Sequence, residues 1–176
     1  MSTAGAALVV MGVSGAGKTM LARAIAARAD AVFIEGDDLH PPANVAKMAA
    51  GVPLDDSDRA GWLEGLRERI VETTANGTHA VATCSALKRR YRETLRRGLD
   101  RLAFVYLDID EAEATRRVSG RAGHYMPPTL VASQFAALES PRDEPRVLSL
   151  DATLSPDSLA DRATAWWRSL DGPTRS

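Results

Sequence analysis

A glycine-rich loop near the start of this chain limits the folds open to it. The loop fits the pattern of two glycines with four residues between them, followed by Lys-Thr. Its residues are Gly12, Val13, Ser14, Gly15, Ala16, Gly17, Lys18 and Thr19. An apolar run, Ala7–Met11, precedes it, and Leu21 and Ile25 follow it at helical spacing. A buried strand, a glycine loop and a helix in this order indicate a phosphate-binding loop (P-loop).

The chemistry of this loop predicts a nucleotide ligand. Glycines let the backbone curl until successive N–H groups point at one phosphate. The following helix adds the positive end of its dipole, and Lys18 adds a charge for the β- and γ-phosphate oxygens. The Thr19 hydroxyl is suited to coordinate Mg²⁺. We therefore expect ATP and Mg²⁺ as cofactors; the alternative interpretation is a glycine-rich turn without a ligand.

The charge balance argues against nucleic acid or a membrane surface as a partner. The 176 residues include 22 Lys and Arg against 23 Asp and Glu, with no long run of one sign. Proteins that bind nucleic acid or membrane surfaces usually show a basic excess or stripe. The one cysteine, Cys84, allows no intrachain disulfide, which fits a reducing cytoplasm. We expect a cytoplasmic protein with a small-molecule substrate.

Short apolar runs alternate with helical patterns along the rest of the chain. The predicted strands are 7–11, 31–35, 79–84, 102–107 and 147–150. The predicted helices are 18–29, 44–50, a long helix capped within 55–58, 87–97, 111–120, 129–138 and a last helix capped at Ser155. Such alternation predicts an α/β fold in three layers, a five-stranded parallel sheet with helices on both faces. No repeat or long linker divides the chain, so residues 1–176 are predicted to form a single domain.

Polar residues follow the second and third predicted strands. The second ends in Glu35-Gly-Asp37-Asp38-Leu-His40, and the third in Cys84-Ser-Ala-Leu-Lys88. In open parallel sheets, ligands bind beyond the carboxyl ends of the strands. Arg59 begins the long helix nearby and adds a cation. A carboxylate for an attacking hydroxyl and cations for the substrate's charge suit a hydroxylated, anionic phosphoryl acceptor.

At these residues the chain resembles the gluconokinase family. The matching segments are MGVSGAGKT (11–19), EGDDLHP (35–41), Asn44 with Lys47-Met48, 51–59 with Trp62-Leu63, CSALKRRYRETLR (84–96), RVSGRAGH (117–124) and Gln134-Phe135 with Leu138-Glu139. Many kinases share the P-loop, whereas GDxxHP and CSALKxxYR are much more particular. Gly61 departs from the family's usual proline and Tyr125 from its frequent phenylalanine, which puts local loop shape in question.

The resemblance implies a P-loop NTPase fold like that of nucleoside-monophosphate kinases and shikimate kinase. It implies the strand order 2-3-1-4-5 and a small mobile lid, which we place at about residues 121–128. It also implies ATP-dependent phosphorylation of D-gluconate at its 6-hydroxyl, giving 6-phospho-D-gluconate. The alternatives left open are a shikimate-kinase-like or other small-molecule kinase on the same scaffold, and a non-catalytic nucleotide-binding switch.

The acidic and histidine candidates serve the transfer in this interpretation. Asp37 is expected to accept a hydrogen bond from the attacking hydroxyl; otherwise it is a turn residue. Glu35 either holds a magnesium-bound water together with Thr19 or simply ends its strand. His40 and His124 are expected to contact the substrate or to anchor loops.

The cationic candidates divide between acceptor and phosphate. Arg59 is expected to bind the gluconate carboxylate through its guanidinium fork; otherwise it is a surface residue. Lys88 and Arg92, four apart on one predicted helix face, are expected to point into the same cavity. Arg117 and Arg121 lead into the lid and are expected to neutralise charge on the transferred phosphoryl group.

Three further side chains are given other roles. Cys84 is expected to be a small buried residue rather than a nucleophile, because phosphoryl transfer needs no covalent enzyme step. The predicted buried face of the last helix consists of Leu159, Ala163, Trp166 and Leu170. Trp167 lies off that face and is a candidate for a homodimer interface.

Overall fold

The strands and helices are defined in a computed structural model that describes residues 3–120 and 128–171. The strands in these ranges are β1 (Ala7–Met11), β2 (Val32–Ile34), β3 (Ala80–Thr83), β4 (Leu102–Asp108) and β5 (Val147–Asp151). The helices are α1 (Lys18–Ala29), α2 (Pro42–Ala49), α3 (Asp56–Thr74), α4 (Arg89–Arg96), α5 (Glu111–Ser119), α6 (Pro128–Ala137) and α7 (Pro156–Ser169). A 3-10 turn, Gly36–Leu39, connects β2 to α2. None of the helices described has the length and apolar character that a membrane crossing requires.

The described strands form one parallel sheet in the order β2-β3-β1-β4-β5. This confirms the predicted fold and strand order. β1 lies in the centre, where Val9 pairs with Ala82 on one side and Phe104 on the other. Because all the strands run the same way, the P-loop after β1 and Glu35 after β2 emerge at one edge of the sheet.

Alternate residues of β1 pack into two different cores, one on each face of the sheet. Leu8 and Val10 belong to a core shared with α1 and α7, and Val9 and Met11 to a core shared with α3 and α4. All four are fully buried. A continuous apolar strand is what a sheet covered on both faces requires.

A reciprocal cap fixes the start of α3. The N–H of Asp58 donates to Asp55 Oδ1 at 2.7 Å, and the N–H of Asp55 donates to Asp58 Oδ2 at 3.0 Å. This capping box places Arg59 in the first turn of the helix. Gly61 lies inside α3, and a Cβ built there meets nothing within 4 Å. The departure at Gly61 therefore lies in a helix and not in a loop, and Tyr125 lies outside the described residues.

The packing of α7 corrects the assignment of its two tryptophans. The buried face of the helix consists of Leu159, Ala160, Ala163, Thr164 and Trp167. Trp167 is 4% exposed and packs in the core of this chain, whereas Trp166 is only partly buried. Leu159 and Ala163 face inward as predicted, but the tryptophan that reaches the core is Trp167 rather than Trp166. Trp167 therefore gives no support to a homodimer interface.

Candidate active site

The P-loop has a backbone that only glycine adopts readily. Gly12, Gly15 and Gly17 have φ values of 146°, 85° and 95°. Gly17 is the N-cap of α1, so the helix begins at Lys18 and directs its first N–H groups at the loop. Lys18 Nζ donates to the carbonyl oxygen of Val13 at 3.0 Å. The ammonium group thus lies across the concave side of the loop, where phosphate oxygens would bind.

Glu35 connects the P-loop to the ends of β2 and β3. Its Oε2 accepts a hydrogen bond from Thr19 Oγ1 at 2.7 Å, and its Oε1 accepts one from the Thr83 hydroxyl. Thr83 is the last residue of β3. P-loop NTPases often carry at the end of a strand an aspartate, the Walker-B residue, that helps to hold Mg²⁺, and this chain has Thr83 there instead. Among the residues that the structure describes, no group of three or more His, Cys, Asp or Glu could hold a metal ion. Thr19 and Glu35 supply the hard oxygen donors that suit Mg²⁺.

Gly36 lets the ends of β2 and β3 come close together. A Cβ at this position would lie 1.9 Å from the carbonyl oxygen of Thr83, so a side chain is excluded. The N–H of Gly36 donates to Thr83 Oγ1 at 3.0 Å, and its carbonyl oxygen accepts from Trp62 Nε1 at 2.8 Å. These bonds hold the backbone immediately before Asp37. The glycine of the GD pair in the sequence motif is thereby explained.

One cavity brings together five of the predicted residues. It is lined by Ser14, Lys18, Asp37, His40 and Arg59. Its other polar lining residues are Trp62, Ser85, Ser133 and Gln134. Lys18 therefore reaches the same space as the carboxylate and the guanidinium. A phosphate bound to the P-loop and an anionic acceptor in the cavity would be neighbours.

Arg59 is held in place on the wall of this cavity. Its Nη1 donates to the carbonyl oxygen of Leu54 at 2.7 Å and to the Tyr91 hydroxyl at 3.3 Å. The guanidinium carbon lies 5.5 Å from the centre of the Tyr91 ring. The Tyr91 hydroxyl in turn donates to Asp56, and this hydrogen bond is the main cause that lowers the pKa of the Asp56 carboxyl. A guanidinium supported in this way is preorganised for a carboxylate ligand.

His40 lies on the cavity wall against Trp62. The two rings are stacked, with centroids 4.0 Å apart and planes inclined by 19°. Burial lowers the pKa of His40, Asp37 opposes this effect, and Arg59 adds to it. Burial therefore favours the neutral form of the imidazole.

The prediction for Arg92 is wrong. Its side chain is fully buried, and its guanidinium pairs with Glu144, with an Nη2–Oε2 distance of 2.6 Å. It also donates to the carbonyl oxygens of Ala86 at 2.7 Å and Glu139 at 3.0 Å. These partners hold the segment after β3 against the segment after α6. Arg92 has a structural position and does not line the cavity.

Lys88 does not point into the cavity either. It is the N-cap of α4, with an extended backbone, so it does not share a helix face with Arg92. Its Nζ lies 3.5 Å from Asp56 Oδ1, and 5.8 Å from the centre of the Tyr91 ring. Lys88 therefore pairs with Asp56, and it is not among the residues that line the cavity.

Arg117 binds the P-loop from outside the cavity. Its guanidinium donates to the carbonyl oxygens of Gly15 at 3.3 Å and Ala152 at 3.2 Å, and to Glu113 at 3.0 Å. Hydrogen bonds from Arg116 and Arg117 lower the pKa of Glu113 to about 2. The other lid predictions, Arg121, His124 and most of 121–128, lie outside the described residues.

Gln134 lies close to the P-loop, although its sequence context predicts no role for it. The backbone N–H of Ser14 donates to Gln134 Oε1 at 2.7 Å. The two residues are 120 positions apart, so no local pattern could have shown the contact. The only available signal was that Gln134 stands in one of the segments that carry the family resemblance.

Cys84 has the position expected of a structural thiol. It is 1% exposed at the end of β3. Burial raises its pKa to about 12, so the thiol stays protonated at physiological pH. A protonated, buried thiol is not a nucleophile.

A P-loop on a 2-3-1-4-5 parallel sheet, facing a cavity with a carboxylate and an arginine, defines a kinase of the P-loop class. The sequence profile of a family described as an AAA domain matches residues 8–145. The gluconokinase of Gluconobacter oxydans 621H is 45% identical over 164 residues, covering 93% of this chain and 92% of that protein. The thermosensitive gluconokinase of Escherichia coli K12 is 44% identical, covering 84% of this chain and 80% of that protein.

The structural comparison agrees with the sequence comparison. The crystal structure of a gluconokinase from Sinorhizobium meliloti 1021 matches with a TM-score of 0.84 and 42% identity, covering 97% of this chain and 95% of that one. The chain belongs to the gluconokinase family.

Proposed function

We propose that this chain transfers the γ-phosphoryl group of ATP to the 6-hydroxyl of D-gluconate, giving 6-phospho-D-gluconate. The observation that carries the proposal is the single cavity lined by Lys18, Asp37 and Arg59. Gluconate has a carboxylate at one end and a primary hydroxyl at the other. The cavity offers a cation for the first and a carboxylate beside the P-loop for the second. The names of the related proteins favour gluconate over shikimate or a nucleotide as the acceptor.

Transfer in this proposal depends on alignment and charge. The P-loop N–H groups and Lys18 hold the phosphates, and Asp37 accepts the hydrogen bond of the attacking hydroxyl and aligns its oxygen. Arg59 fixes the far end of the acceptor through its carboxylate. Arg117 and Arg121 remain proposed sources of positive charge for the transferred group, and His124 remains a proposed substrate contact.

Mg²⁺ is proposed to bind beside Thr19 and Glu35. The fit rests on the Thr19 hydroxyl and the Glu35 carboxylate, which already lie 2.7 Å apart at the mouth of the P-loop. When bound with ATP, Mg²⁺ would neutralise charge on the β- and γ-phosphate oxygens. Thr83 would keep Glu35 oriented through the hydrogen bond to its other oxygen. We also propose a cytoplasmic location, because the reaction consumes ATP.

The position of the new phosphate tests the proposal. Product made from uniformly ¹³C-labelled gluconate should show phosphorus coupling to the carbon of the 6-position and to its neighbour. Coupling elsewhere in the molecule would contradict the orientation that places the carboxylate at Arg59 and the primary hydroxyl at Asp37.

A further inference from the structure

The side-chain amide of Asn44 has only one orientation that fits its surroundings. Asn44 lies on α2 and is 3% exposed. One of its terminal atoms is 2.8 Å from the carbonyl oxygen of Asp58. A carbonyl oxygen is only an acceptor, so the facing atom has to be the Nδ2 donor rather than Oδ1.

The same Nδ2 lies 3.3 Å from Nδ1 of His40. An amide nitrogen carries two hydrogens, and the Asp58 carbonyl oxygen uses one. Nδ2 of Asn44 can donate its second hydrogen to His40 only if Nδ1 of the ring carries a lone pair and no hydrogen. A neutral imidazole has its hydrogen on one nitrogen, so that hydrogen is then on Nε2. With the other tautomer, two N–H donors would face each other.

The contact at the opposite edge of the His40 ring also favours the tautomer with its hydrogen on Nε2. His40 Nε2 lies 3.8 Å from Asp37 Oδ1, and a carboxylate oxygen favours a facing N–H over a facing lone pair. The stack on Trp62 fixes the ring plane, and the His40 side chain is 4% exposed. A movement of about 1 Å would bring Nε2 and Oδ1 to ordinary hydrogen-bond distance.

We propose that Asn44 is a positioning residue, which selects the Nε2–H tautomer of His40 so that His40 orients the Asp37 carboxylate. One Asp37 oxygen would accept from His40, which leaves the other for the acceptor hydroxyl. The role of Asp37 rests on the proposed function; the tautomer does not. The lowered pKa of His40 agrees with a neutral ring, which keeps the negative charge of Asp37 uncancelled.

Imidazole ¹⁵N spectra of the ligand-free wild-type protein test the tautomer directly. The chain has three histidines, so His40→Gln identifies the signals of His40. We expect the ¹⁵N pattern of a neutral ring with its hydrogen on Nε2. An Nδ1–H ring, or an even mixture of tautomers, would overturn the proposal. Because no substrate is present, this result does not depend on whether gluconate is the acceptor.

Asn44→Leu tests the consequence for catalysis. It removes the donor at similar size, so the share of the Nδ1–H tautomer should rise above that in the wild type, and kcat should fall on the order of tenfold, with KM for gluconate near wild type. Val45→Ala is the control, because Val45 is on the same helix and 50% exposed. A change of tautomer without loss of kcat would contradict the positioning role. If Asn44→Leu does not fold, the wild-type spectrum still decides the tautomer.

Discussion

The side chain of Gln134 occupies a backbone donor of the P-loop: its Oε1 accepts the N–H of Ser14 at 2.7 Å. Ser14 and Lys18 are the two P-loop residues that line the acceptor cavity, so this N–H is on the side of the loop where a transferable phosphate has to lie. Gln134 is on α6, which follows residues 121–127. The contact thus connects the P-loop to the helix after the predicted lid.

Replacing Gln134 should change the affinity for ATP in a direction that depends on charge. Gln134→Glu strengthens the competing bond to Ser14 and places a negative charge near the γ-phosphate, so the Kd of Mg-ATP should rise on the order of tenfold. Gln134→Ala leaves the N–H open and should not weaken binding. Calorimetric titration measures the Kd of Mg-ATP for both variants. Adenosine, which lacks phosphate, is the control ligand, and its affinity should not change. Equal ATP affinity in Gln134→Glu and wild type would refute this function of the contact.

Arg59 and Asp37 should affect different kinetic constants. Arg59→Ala should raise KM for gluconate by tens of fold with little change in kcat, because a carboxylate contact remote from the transferred group acts in ground and transition states alike. Asp37→Asn should lower kcat on the order of 10²-fold. Arg69→Ala, an exposed position on α3, is the control. If Arg59→Ala lowered kcat and Asp37→Asn raised KM for gluconate instead, the assigned roles would be overturned.

Arg92 should matter for stability rather than for acceptor binding. Arg92→Ala leaves the Glu144 carboxylate, 5% exposed, without its main partner, which should lower the free energy of unfolding by roughly 3–5 kcal/mol. Urea unfolding measures the change. Arg89→Ala is the matched control on the same helix, since the Arg89 side chain is 66% exposed; we expect a change within about 0.5 kcal/mol. A stable Arg92→Ala protein with only a raised KM for gluconate would restore the sequence-based interpretation.

Cys84 should make stability depend on pH in the alkaline range. Its pKa in the folded protein is about 12 against an ordinary value of 9.0. The unfolded chain therefore releases this proton first, and the free energy of unfolding should decrease as pH rises from about 9. Cys84→Ala should remove this part of the slope and keep kcat near wild type. If Cys84 were alkylated at pH 8 as fast in the folded protein as in the urea-unfolded chain, the thiol would not be buried as described.

The strands and the P-loop could be predicted because both depend on local patterns, whereas the strand order came from the family resemblance. The run before the loop is apolar at every position, and Lys18–Ala29 forms a helix as its spacing indicated. The cap of α3 also follows from neighbouring residues, since Asp55 and Asp58 are three apart. The grouping of Lys18, Asp37 and Arg59 follows from the rule that ligands bind beyond the carboxyl ends of parallel strands.

The errors arise where the outcome depends on distant residues or on one helical position. The partner of Arg92 is Glu144, 52 residues away, which the sequence pattern around Arg92 does not show. Helix α4 begins at Arg89, one residue after Lys88 and two after the predicted start, so the spacing of four did not place Lys88 and Arg92 on one helix face. In α7, two adjacent tryptophans offered two nearly equal stripes, and packing against α1 and β5 selected the one with Trp167.

The choice of phosphoryl acceptor is the decisive test of the proposed reaction. Coupled measurement of ADP release should give the highest kcat/KM with gluconate, compared with other sugar acids, shikimate, glycerate and AMP, and the activity should require Mg²⁺. Lys18→Ala should reduce turnover with gluconate on the order of 10³-fold or more, because the substitution removes the ammonium group that stabilises the transferred phosphoryl group. Preferred turnover of shikimate or AMP, with gluconate at background, would contradict the account.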